Sequence, residues 1–487
     1  MSMPDIATAR QVKIVYLTQR LRMVTLAATA IAWAQQAWTQ GASEPTGRSA
    51  QISESAVQRE VSSPSSAITH SQYTPRQLSI TEAVHQAIDW HPVIAESVGE
   101  LYRRQEGIRV ARSGYFPQLS AGVVAGHDSE NNGGGDGHAV QLYVSQVIYD
   151  FGKISSGVDL ANAEVSRSRA EVLQSIDRIA RDTADAAVEV QRYQALLETS
   201  QEQIDSVSAI ASLVRMRSER GASSRSDVLQ AQARIEAARA AKQQVIAGLA
   251  RWRSTLQNLV NASGPVQVTM GTPESMKNAC QGPPGEIFAS PRILIAEASR
   301  AEAMARLSES RADVWPTLSL DASYNRYLDQ TYVDTNVLDE NESAVFLNLS
   351  MPIYQGGRLS ASKESASYAV RAAEAAKDAA RESVAREYQA AQAQAHGLER
   401  SMTILDAREK AIRETRDLYR KQYSSLGTRT LLDLLNAEEE LQQARQERIE
   451  TRFDLKKLEI ECLYNTGDIR QAFGIEGRAV QGVEVLP

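Results

Sequence analysis

The sequence predicts a mainly α-helical protein with a membrane β-barrel, in which one structural unit occurs twice in tandem. Three observations support this fold class. Long polar, alanine-rich stretches have helical periodicity, shorter segments alternate polar and apolar side chains, and landmark residues recur at a nearly constant spacing. A helix repeats every ~3.6 residues and a strand alternates from one residue to the next, so these patterns separate helical from extended segments.

The amino terminus has the pattern of a targeting segment. Basic residues precede an apolar run over residues 23–33, and the tripeptide at 32–34 fits an A-x-A cleavage site. We therefore expect residues 1–34 to be a signal peptide. A single membrane anchor is the alternative, but the run is shorter than the ~20 residues that a spanning helix needs. Residues 35–77 are rich in Ser, Thr, Gln and Pro, and we expect a disordered leader there.

Repeated landmarks indicate an internal duplication of the rest of the chain. Pro117 and Pro316 stand in similar segments at a spacing of 199 residues (316 − 117), and Gly221 and Gly427 stand in similar turns at 206 (427 − 221). Matched landmarks in the same order imply a repeat. We expect a first repeat over residues 78–264 and a second over residues 288–467. A linker, residues 265–287, lies between them, and a carboxyl-terminal tail follows over residues 468–487.

Each repeat contains a predicted β-hairpin, over residues 117–149 and 316–354. In residues 318–325 every apolar residue faces one side of a strand and every polar residue faces the other. Each run has about the length of a tilted membrane strand, ~10 residues. A soluble antiparallel sheet with one wet face alternates in the same way and is the alternative. The signal peptide and the polar loops between the strands favour a barrel.

Four strands are too few to close a barrel. Because hydrocarbon tolerates no unpaired strand edge, several chains must each contribute their two hairpins. Three chains would supply twelve strands, which lies within the range of ~8–26 strands in outer-membrane barrels. The strand pattern therefore predicts an oligomer.

The long helical stretches predict two helical hairpins. In the first arm, residues 152–221, apolar positions follow the ~3.5-residue period of coiled-coil packing. At ~1.5 Å per residue this arm is ~100 Å long. A second arm over residues 359–426 is similar. Because these helices are polar on most faces, we expect a hollow cylinder; a soluble fibrous coiled coil is the alternative, but it leaves the strands unexplained.

Both helical hairpins end in the same kind of turn, and these turns are the predicted tips, residues 218–227 and 424–433. Gly221 and Gly427 are expected to take the left-handed conformation in which a helix can end. The Ser, Thr and Asp residues that follow can cap the next helix. Each tip is therefore predicted to consist of the end of one helix followed by the N-terminal cap of the next.

Composition and motifs argue against several other functions. The net charge is −7 and no basic patch stands out, so no nucleic-acid partner is expected. The sequence has no zinc-protease, phosphate-loop or nucleophile-elbow motif, and we expect neither enzymatic activity nor a cofactor or metal. Cys280 and Cys462 are the only cysteines. They could pair in an oxidising compartment or remain two free thiols.

The ordered repetition of these elements resembles the TolC family of outer-membrane channel-tunnels, from about residue 78 to residue 467. Each repeat has a helix, a Phe-Pro or Trp-Pro strand, a loop, a strand ending in Tyr and then Gly-Lys or Gly-Arg, a long helix, a Gly-x5-Asp tip and a return helix. The resemblance implies a homotrimer with a twelve-stranded β-barrel in outer-membrane lipid of a Gram-negative bacterium. It also implies a long periplasmic α-helical barrel, girdled by an equatorial domain from residues 78–87, 264–287 and the carboxyl tail.

By the same resemblance, the tips form a periplasmic entrance that opens when an adaptor and an inner-membrane pump dock. Asp227 takes the position of an acid that pairs with Arg429, and Asp433 takes that of a carboxylate in a ring at the constriction. Asn436 replaces a second ring acid, so the ring of a trimer is expected to hold three carboxylates rather than six. Helix capping is the alternative for both acids. A solvated surface charge is the alternative for Arg429.

Other tip residues also take their expected roles from the resemblance. Gly221, Ser223, Gly427 and Thr428 are expected to contact the adaptor. The tyrosine that completes the family's lock is replaced by Ser424, and a tyrosine stands one residue earlier. The third member of the lock therefore stays open.

The resemblance implies a passive exit duct. We favour a type I secretion system that exports a large unfolded protein, with a membrane fusion protein as the periplasmic adaptor and an ABC transporter as the inner-membrane pump. The segment Tyr-Asp-Phe-Gly-Lys at residues 149–153 and the absence of a lipid-anchor cysteine resemble that branch. The alternatives are the exit duct of a proton-driven drug efflux pump and a non-channel periplasmic coiled-coil scaffold.

Overall fold

A computed structural model describes residues 76–128, 135–281, 290–328 and 341–485. The predicted signal peptide and residues 35–75 of the predicted leader lie outside these ranges. The last two leader residues, Arg76 and Gln77, belong instead to a strand that pairs with the linker. The boundary of the leader was therefore predicted two residues too late, because backbone hydrogen bonds to a distant strand order a segment that has no local structural pattern.

The first repeat contains two shorter helices, a strand hairpin and a long helical hairpin. Its elements are β1 (Arg76–Leu78), α1 (Ile80–Trp90), α2 (Pro92–Ser113), β2 (Gln118–Asp128), β3 (Gly135–Tyr149), α3 (Lys153–Glu219) and α4 (Arg225–Leu259). With 67 residues, α3 is ~100 Å long at the rise of an α-helix. No helix among the described residues is both long enough and apolar enough to cross a bilayer.

The second repeat has the same order of elements. After the linker, which contains β4 (Val266–Val268) and a 3-10 turn (Glu274–Met276), it consists of α5 (Pro291–Ala312), β5 (Thr317–Tyr327), β6 (Asn341–Ser350), α6 (Arg358–Lys421) and α7 (Leu431–Thr466). The tail adds α8 (Ile469–Ala472), β7 (Ala479–Val480) and β8 (Val483–Glu484). Each strand hairpin therefore lies between a short helix and a long helical arm.

The two strand hairpins join in one antiparallel sheet of order β2-β3-β5-β6. The repeats meet where β3 pairs with β5, and Ser145 stands opposite Asp321 in that register. Alternation gives the sheet an apolar face, on which Val123 and Leu347 are 72% and 68% exposed, and a polar face that includes Asp321. Within the described residues the outer strands β2 and β6 each pair with a single neighbour. The sheet is therefore open at both edges.

The helices pack through the apolar seam that the sequence predicts. The seam of α3 includes Val172, Ile176, Thr183, Val190, Val207 and Val214, each at most 4% exposed. This helix contacts α1, α2, α4, α5 and α7 and forms the centre of the chain. By contrast, Leu229 on α4 and Ile404 on α6 are 62% and 68% exposed. The two outermost long helices therefore present apolar side chains that this chain does not cover.

The segments expected to form an equatorial domain pack together against α3. β1 and β4 form a parallel pair, and the tail is held through a buried ion pair between Arg470 on α8 and Asp177 on α3, with 2.8 Å between Nη1 and Oδ2. Burial raises the pKa of the Asp177 carboxyl to about 7, while the Arg470 guanidinium opposes that rise. The imidazole Nε2 of His85 also lies 2.6 Å from the carbonyl oxygen of Phe473. These polar contacts join α1, α3 and the tail.

A disulfide bond joins Cys280 of the linker to Cys462 of α7, with 5.5 Å between the two Cα atoms. It lies in a small buried cluster with Tyr388, Ala391 and Ala395 of α6. The sequence left open whether the two cysteines form a disulfide bond or remain free thiols, and in the structure they form the bond. The bond fixes the end of the described linker to the second helical hairpin.

Reduction of this disulfide is expected to destabilise the folded chain by about 2–4 kcal/mol, because the bond closes a loop of 182 residues and restricts the unfolded state. Thermal unfolding in detergent, with and without reductant, measures the effect. The double variant Cys280→Ser/Cys462→Ser is the control, and its transition should not respond to reductant. Two alkylatable thiols in the unreduced, denatured wild-type chain would contradict the pairing.

Candidate functional site: the tips of the helical hairpins

The first tip joins α3 to α4 through a tight turn. Gly221 has a φ of 73°, the left-handed conformation expected for it, and the Ala222 N–H donates to the Arg217 carbonyl at 2.7 Å. Ser224 then caps α4. Its hydroxyl accepts from the Asp227 N–H at 3.1 Å, and the Asp227 carboxylate accepts from the Ser224 N–H at 2.9 Å. This capping box satisfies two backbone donors at the start of the helix.

The second tip has the same plan with one difference. Gly427 has a φ of 66°, and Thr430 and Asp433 form a capping box on α7 with hydrogen bonds of 3.2 and 3.3 Å. However, α6 continues into a π-helical turn over Gln422–Leu426. The backbone hydrogen bond that closes this tip spans six residues (428 − 422), against five in the first tip (222 − 217). The π turn therefore accommodates one additional residue.

An apolar cluster holds the two tips of one chain together. Its buried members are Ile210, Val214, Ala231, Tyr423, Leu431, Leu434 and Leu435. They come from α3, α4, the π turn and α7, and each is at most 4% exposed. Full burial of a large aliphatic side chain contributes ~1.5–3 kcal/mol. Apolar packing is therefore the main attraction between the two tips.

Tyr423 connects the second tip to the first through three polar contacts. The guanidinium of Arg217 lies over its ring, 4.7 Å from the centroid, and donates to its carbonyl oxygen at 2.7 Å. Its hydroxyl lies 3.2 Å from the hydroxyl of Ser223. We call these three residues the tip clasp. Cation–π contacts contribute ~0.5–2 kcal/mol depending on exposure, so the clasp adds directional contacts to the apolar cluster.

Tyr423 is not among the site residues expected from the sequence. Positional comparison with the family pointed to Ser424, whose hydroxyl forms hydrogen bonds with the Ser425 hydroxyl and the carbonyl oxygen of Lys421 and with no residue of the first tip among those that the structure describes. One signal was available, because Tyr423 and Arg217 are separated by 206 residues (423 − 217), the same spacing as the tip glycines. Each of these two residues stands four residues before the glycine of its tip.

Arg429 does not contact Asp227 within the described chain. Its guanidinium lies 4.4 Å from the centroid of the Tyr419 ring, its Nε donates to Gln422 Oε1 at 3.2 Å, and the nearest carboxylate is that of Asp433, at 3.8 Å. Both acids instead cap the helices that follow them, as the capping alternative expected. The expected pair of Asp227 and Arg429 is thus not formed inside one protomer.

Asn436 contacts the first hairpin. Its Oδ1 accepts from Arg234 of α4 at 3.4 Å, and the same guanidinium forms an ion pair with Glu439. Further from the tips, Arg445 of α7 bridges Glu202 of α3 at 2.9 Å and the buried Glu409 of α6. These ion pairs connect the second helical hairpin to the first along their length.

The residues expected to contact an adaptor lie at the ends of the turns. Gly221, Gly427 and Thr428 are exposed, whereas Ser223 is half-buried because its hydroxyl faces the clasp. Within the described ranges, no group of His, Cys, Asp and Glu side chains could hold a metal ion. The contacts at the tips hold the ends of the long helices together.

A sheet of four strands that continues into two long helical hairpins is the fold of an outer-membrane channel protomer. A model of the family described as "Outer membrane efflux protein" matches residues 83–264 and 288–461 of the chain. The chain belongs to this family, and its location is the outer membrane of a Gram-negative bacterium. The two matched segments lie inside the two predicted repeats, and the family is one of channels rather than enzymes.

Several curated proteins are similar in sequence. Protein CyaE of Bordetella pertussis is 26% identical over 292 residues, which cover 57% of this chain and 61% of that protein. The outer membrane efflux protein BepC of Brucella suis is 23% identical over 69% of this chain and 74% of its own length. The solvent efflux pump outer membrane protein SrpC of Pseudomonas putida is 28% identical, over 29% of this chain and 31% of that protein.

Solved structures share the fold. CusC superposes with a TM-score of 0.73 at 17% identity, covering 80% of this chain and 92% of that one. The outer membrane protein VceC of Vibrio cholerae superposes with a TM-score of 0.69 at 18% identity, covering 80% of this chain and 96% of that one. The expected TolC-like fold, mainly α with a membrane β-barrel and a tandem duplication, is thereby confirmed.

Replacing Tyr423 with phenylalanine is expected to loosen the second tip, because the change removes the hydroxyl contact with Ser223 and leaves the ring over Arg217. The loss of one such contact costs about 0.5–1.5 kcal/mol. Amide hydrogen exchange in the peptide that covers residues 419–430 should accelerate by about 2- to 12-fold. Tyr419→Phe is the matched control, since the Tyr419 hydroxyl makes no hydrogen bond among the described residues. Equal exchange rates in the wild type and in Tyr423→Phe would show that the hydroxyl does not stabilise the clasp.

Proposed function

We propose that three copies of this chain form a passive exit duct across the outer membrane and periplasm, as one component of a tripartite export system. The observation that carries the proposal is the four-stranded sheet with two open edges, β2 and β6. Pairing β6 of one copy with β2 of the next in three copies closes twelve strands, and a closed barrel satisfies every backbone group in hydrocarbon. The exposed apolar residues on α4 and α6 would pack between protomers in the same assembly.

In this trimer the tips form a closed periplasmic entrance. Arg429 is available for a contact between protomers, because its side chain is 42% exposed and its nearest acid within the chain lies at 3.8 Å. We assign it to Asp227 of the partner subunit. Asp433, with a side chain 38% exposed, contributes one carboxylate from each copy to a ring at the constriction, and Asn436 contributes no charge to it.

Opening requires that the second hairpin move away from the first. In our proposal a periplasmic adaptor docks on Gly221, Ser223, Gly427 and Thr428, and an inner-membrane transporter supplies the energy. The tip clasp and the ion pairs between the hairpins resist this movement until the adaptor binds. The duct itself performs no reaction and needs no cofactor, which leaves cargo selection to its partners.

Type I secretion of a large unfolded protein, driven by an ABC transporter with a membrane fusion protein, is the export route that we favour. Its support is the Tyr-Asp-Phe-Gly-Lys segment at residues 149–153. In the structure Tyr149 and Phe151 form an aromatic group with Trp315 where the strands end and the helices begin, with ring centroids 4.7 and 5.5 Å apart. The second candidate is the exit duct of a proton-driven efflux pump, which the similarity to the solvent efflux protein SrpC favours.

The gate is tested by conductance in planar lipid bilayers. Wild-type trimers are expected to give small, cation-favouring current steps, and either Arg429→Ser or Asp227→Ala should enlarge them several-fold, because each change removes one partner of the pair that narrows the entrance. Arg220→Ser is the control, since it removes an exposed arginine of the first tip that forms no ion pair among the described residues. A non-channel scaffold would give no steps at all.

If both gate variants form intact trimers on a gel and give current steps of wild-type size, the gate assignment is wrong. The proposal that the chain forms a duct would not be contradicted by that result. The export route needs a separate experiment in the bacterium that encodes the chain. Deleting the gene should remove a large protein from the culture medium and leave drug and solvent tolerance unchanged. Lost tolerance with an unchanged set of secreted proteins would support the efflux alternative instead.

A further inference from the structure

The two faces of the β-sheet differ in polarity. Leu119, Val345 and Leu347 lie on the apolar face and are 67%, 69% and 68% exposed, whereas Asp321 on the polar face is 9% exposed. In a membrane barrel the apolar face of each strand meets lipid and the polar face lines the interior. In a closed barrel of this chain Asp321 therefore faces the interior.

Asp321 lies near the middle of this polar face and is held by its neighbours on three strands. Its carboxylate accepts from the hydroxyls of Ser145 at 2.6 Å and Ser319 at 3.0 Å, and the side chains of Tyr143 and Asn348 also donate to it. Donors on β3, β5 and β6 thus fix its position across the junction of the two repeats. None of them is a cation, and no lysine or arginine of the described chain forms an ion pair with Asp321.

The charges on the two faces are distributed unequally. Among the strand residues whose side chains the structure describes, the polar face carries two carboxylates, Asp321 and Glu342, and no lysine or arginine, while Arg326 lies on the other face. The Lys153 ammonium, at the start of α3, reaches the polar face only at its inner edge, where it donates to Thr317 Oγ1 at 2.9 Å. Glu342 stands at the far end of β6 from the helices and accepts from the Tyr327 hydroxyl at 3.1 Å. Asp321 is therefore the negative charge inside the sheet rather than at its rim.

We propose that Asp321 sets the cation preference of the pore, from a ring of three carboxylates inside the barrel. This inference rests on the trimeric duct proposed above. A charge in a narrow space with low-dielectric walls attracts counterions more strongly than the same charge on an open surface. At the tips Asn436 removes one of the two acids expected for each protomer, so the barrel ring carries a larger share of the selectivity.

The reversal potential of the reconstituted trimer across a KCl gradient tests this assignment. Asp321→Asn removes the charge but keeps an oxygen that can accept from Ser145. It is expected to lower the ratio of potassium to chloride permeability by about two- to fourfold, the effect of a unit charge roughly 5–10 Å from the ion path in water. Asp321→Glu retains the charge and should retain the wild-type ratio.

Two further variants separate the effect of the Asp321 charge from that of its hydrogen bonds, and the effect of the barrel carboxylate from that of the tip carboxylate. Ser145→Ala removes a hydrogen bond to Asp321 and leaves its charge, so the permeability ratio should stay at the wild-type value. Asp433→Asn removes the tip carboxylate and should change the ratio less than Asp321→Asn does. Each measurement is repeated with Tyr423→Ala, in which a loosened entrance contributes less to the total resistance.

Current steps with the same permeability ratio in Asp321→Asn and the wild type would overturn the inference and leave the duct intact. So would a loss of selectivity in Asp433→Asn alone. An equal loss in Ser145→Ala and Asp321→Asn would show that the hydrogen-bond network, rather than the charge, is what matters. The absence of any current step in the wild type would instead refute the duct.

Discussion

The structure depends most on one constraint, that every backbone N–H and C=O inside a membrane needs a hydrogen-bond partner. The outer strands of the sheet, β2 and β6, have 11 and 10 residues, and each unpaired backbone group in hydrocarbon costs several kcal/mol. Each strand is also joined to a helix at its inner end through a connection of three to seven residues, so that α2, α3, α5 and α6 each lead to or from one strand. The number of chains that close the sheet therefore also sets the number of helices that surround the space beneath it.

Most of the fold was accessible from periodicity and repetition. Alternation located both strand hairpins, a coiled-coil seam identified buried positions such as Ile176 and Val214, and the spacing of Gly221 and Gly427 located both tips. These features are encoded within short segments or by an internal copy. The tail was less accessible: its anchor, the buried Arg470–Asp177 pair, joins residues 293 apart in sequence, and no local pattern indicates such a partner.

The tip contacts were harder to predict because they depend on single-residue geometry. The π turn after α6 shifts the chain by one residue, and so the aromatic contact with the first tip comes from Tyr423 rather than from position 424. Asp227 and Asp433 illustrate a second difficulty, since a carboxylate at the third position of a helix can cap that helix and still present charge to another molecule. Residue type and position alone do not separate these two roles.

The clasp between Arg217 and Tyr423 also shows what gene fusion makes accessible to a duplicated fold. The two repeats pack head to tail, since β3 of the first repeat pairs with β5, the counterpart of β2. In a ring of identical repeats packed in this way, every junction would carry the same contacts. Joining two repeats in one polypeptide lets their sequences diverge, so that an arginine of one tip and a tyrosine of the other can form a contact at one junction that the next junction does not repeat.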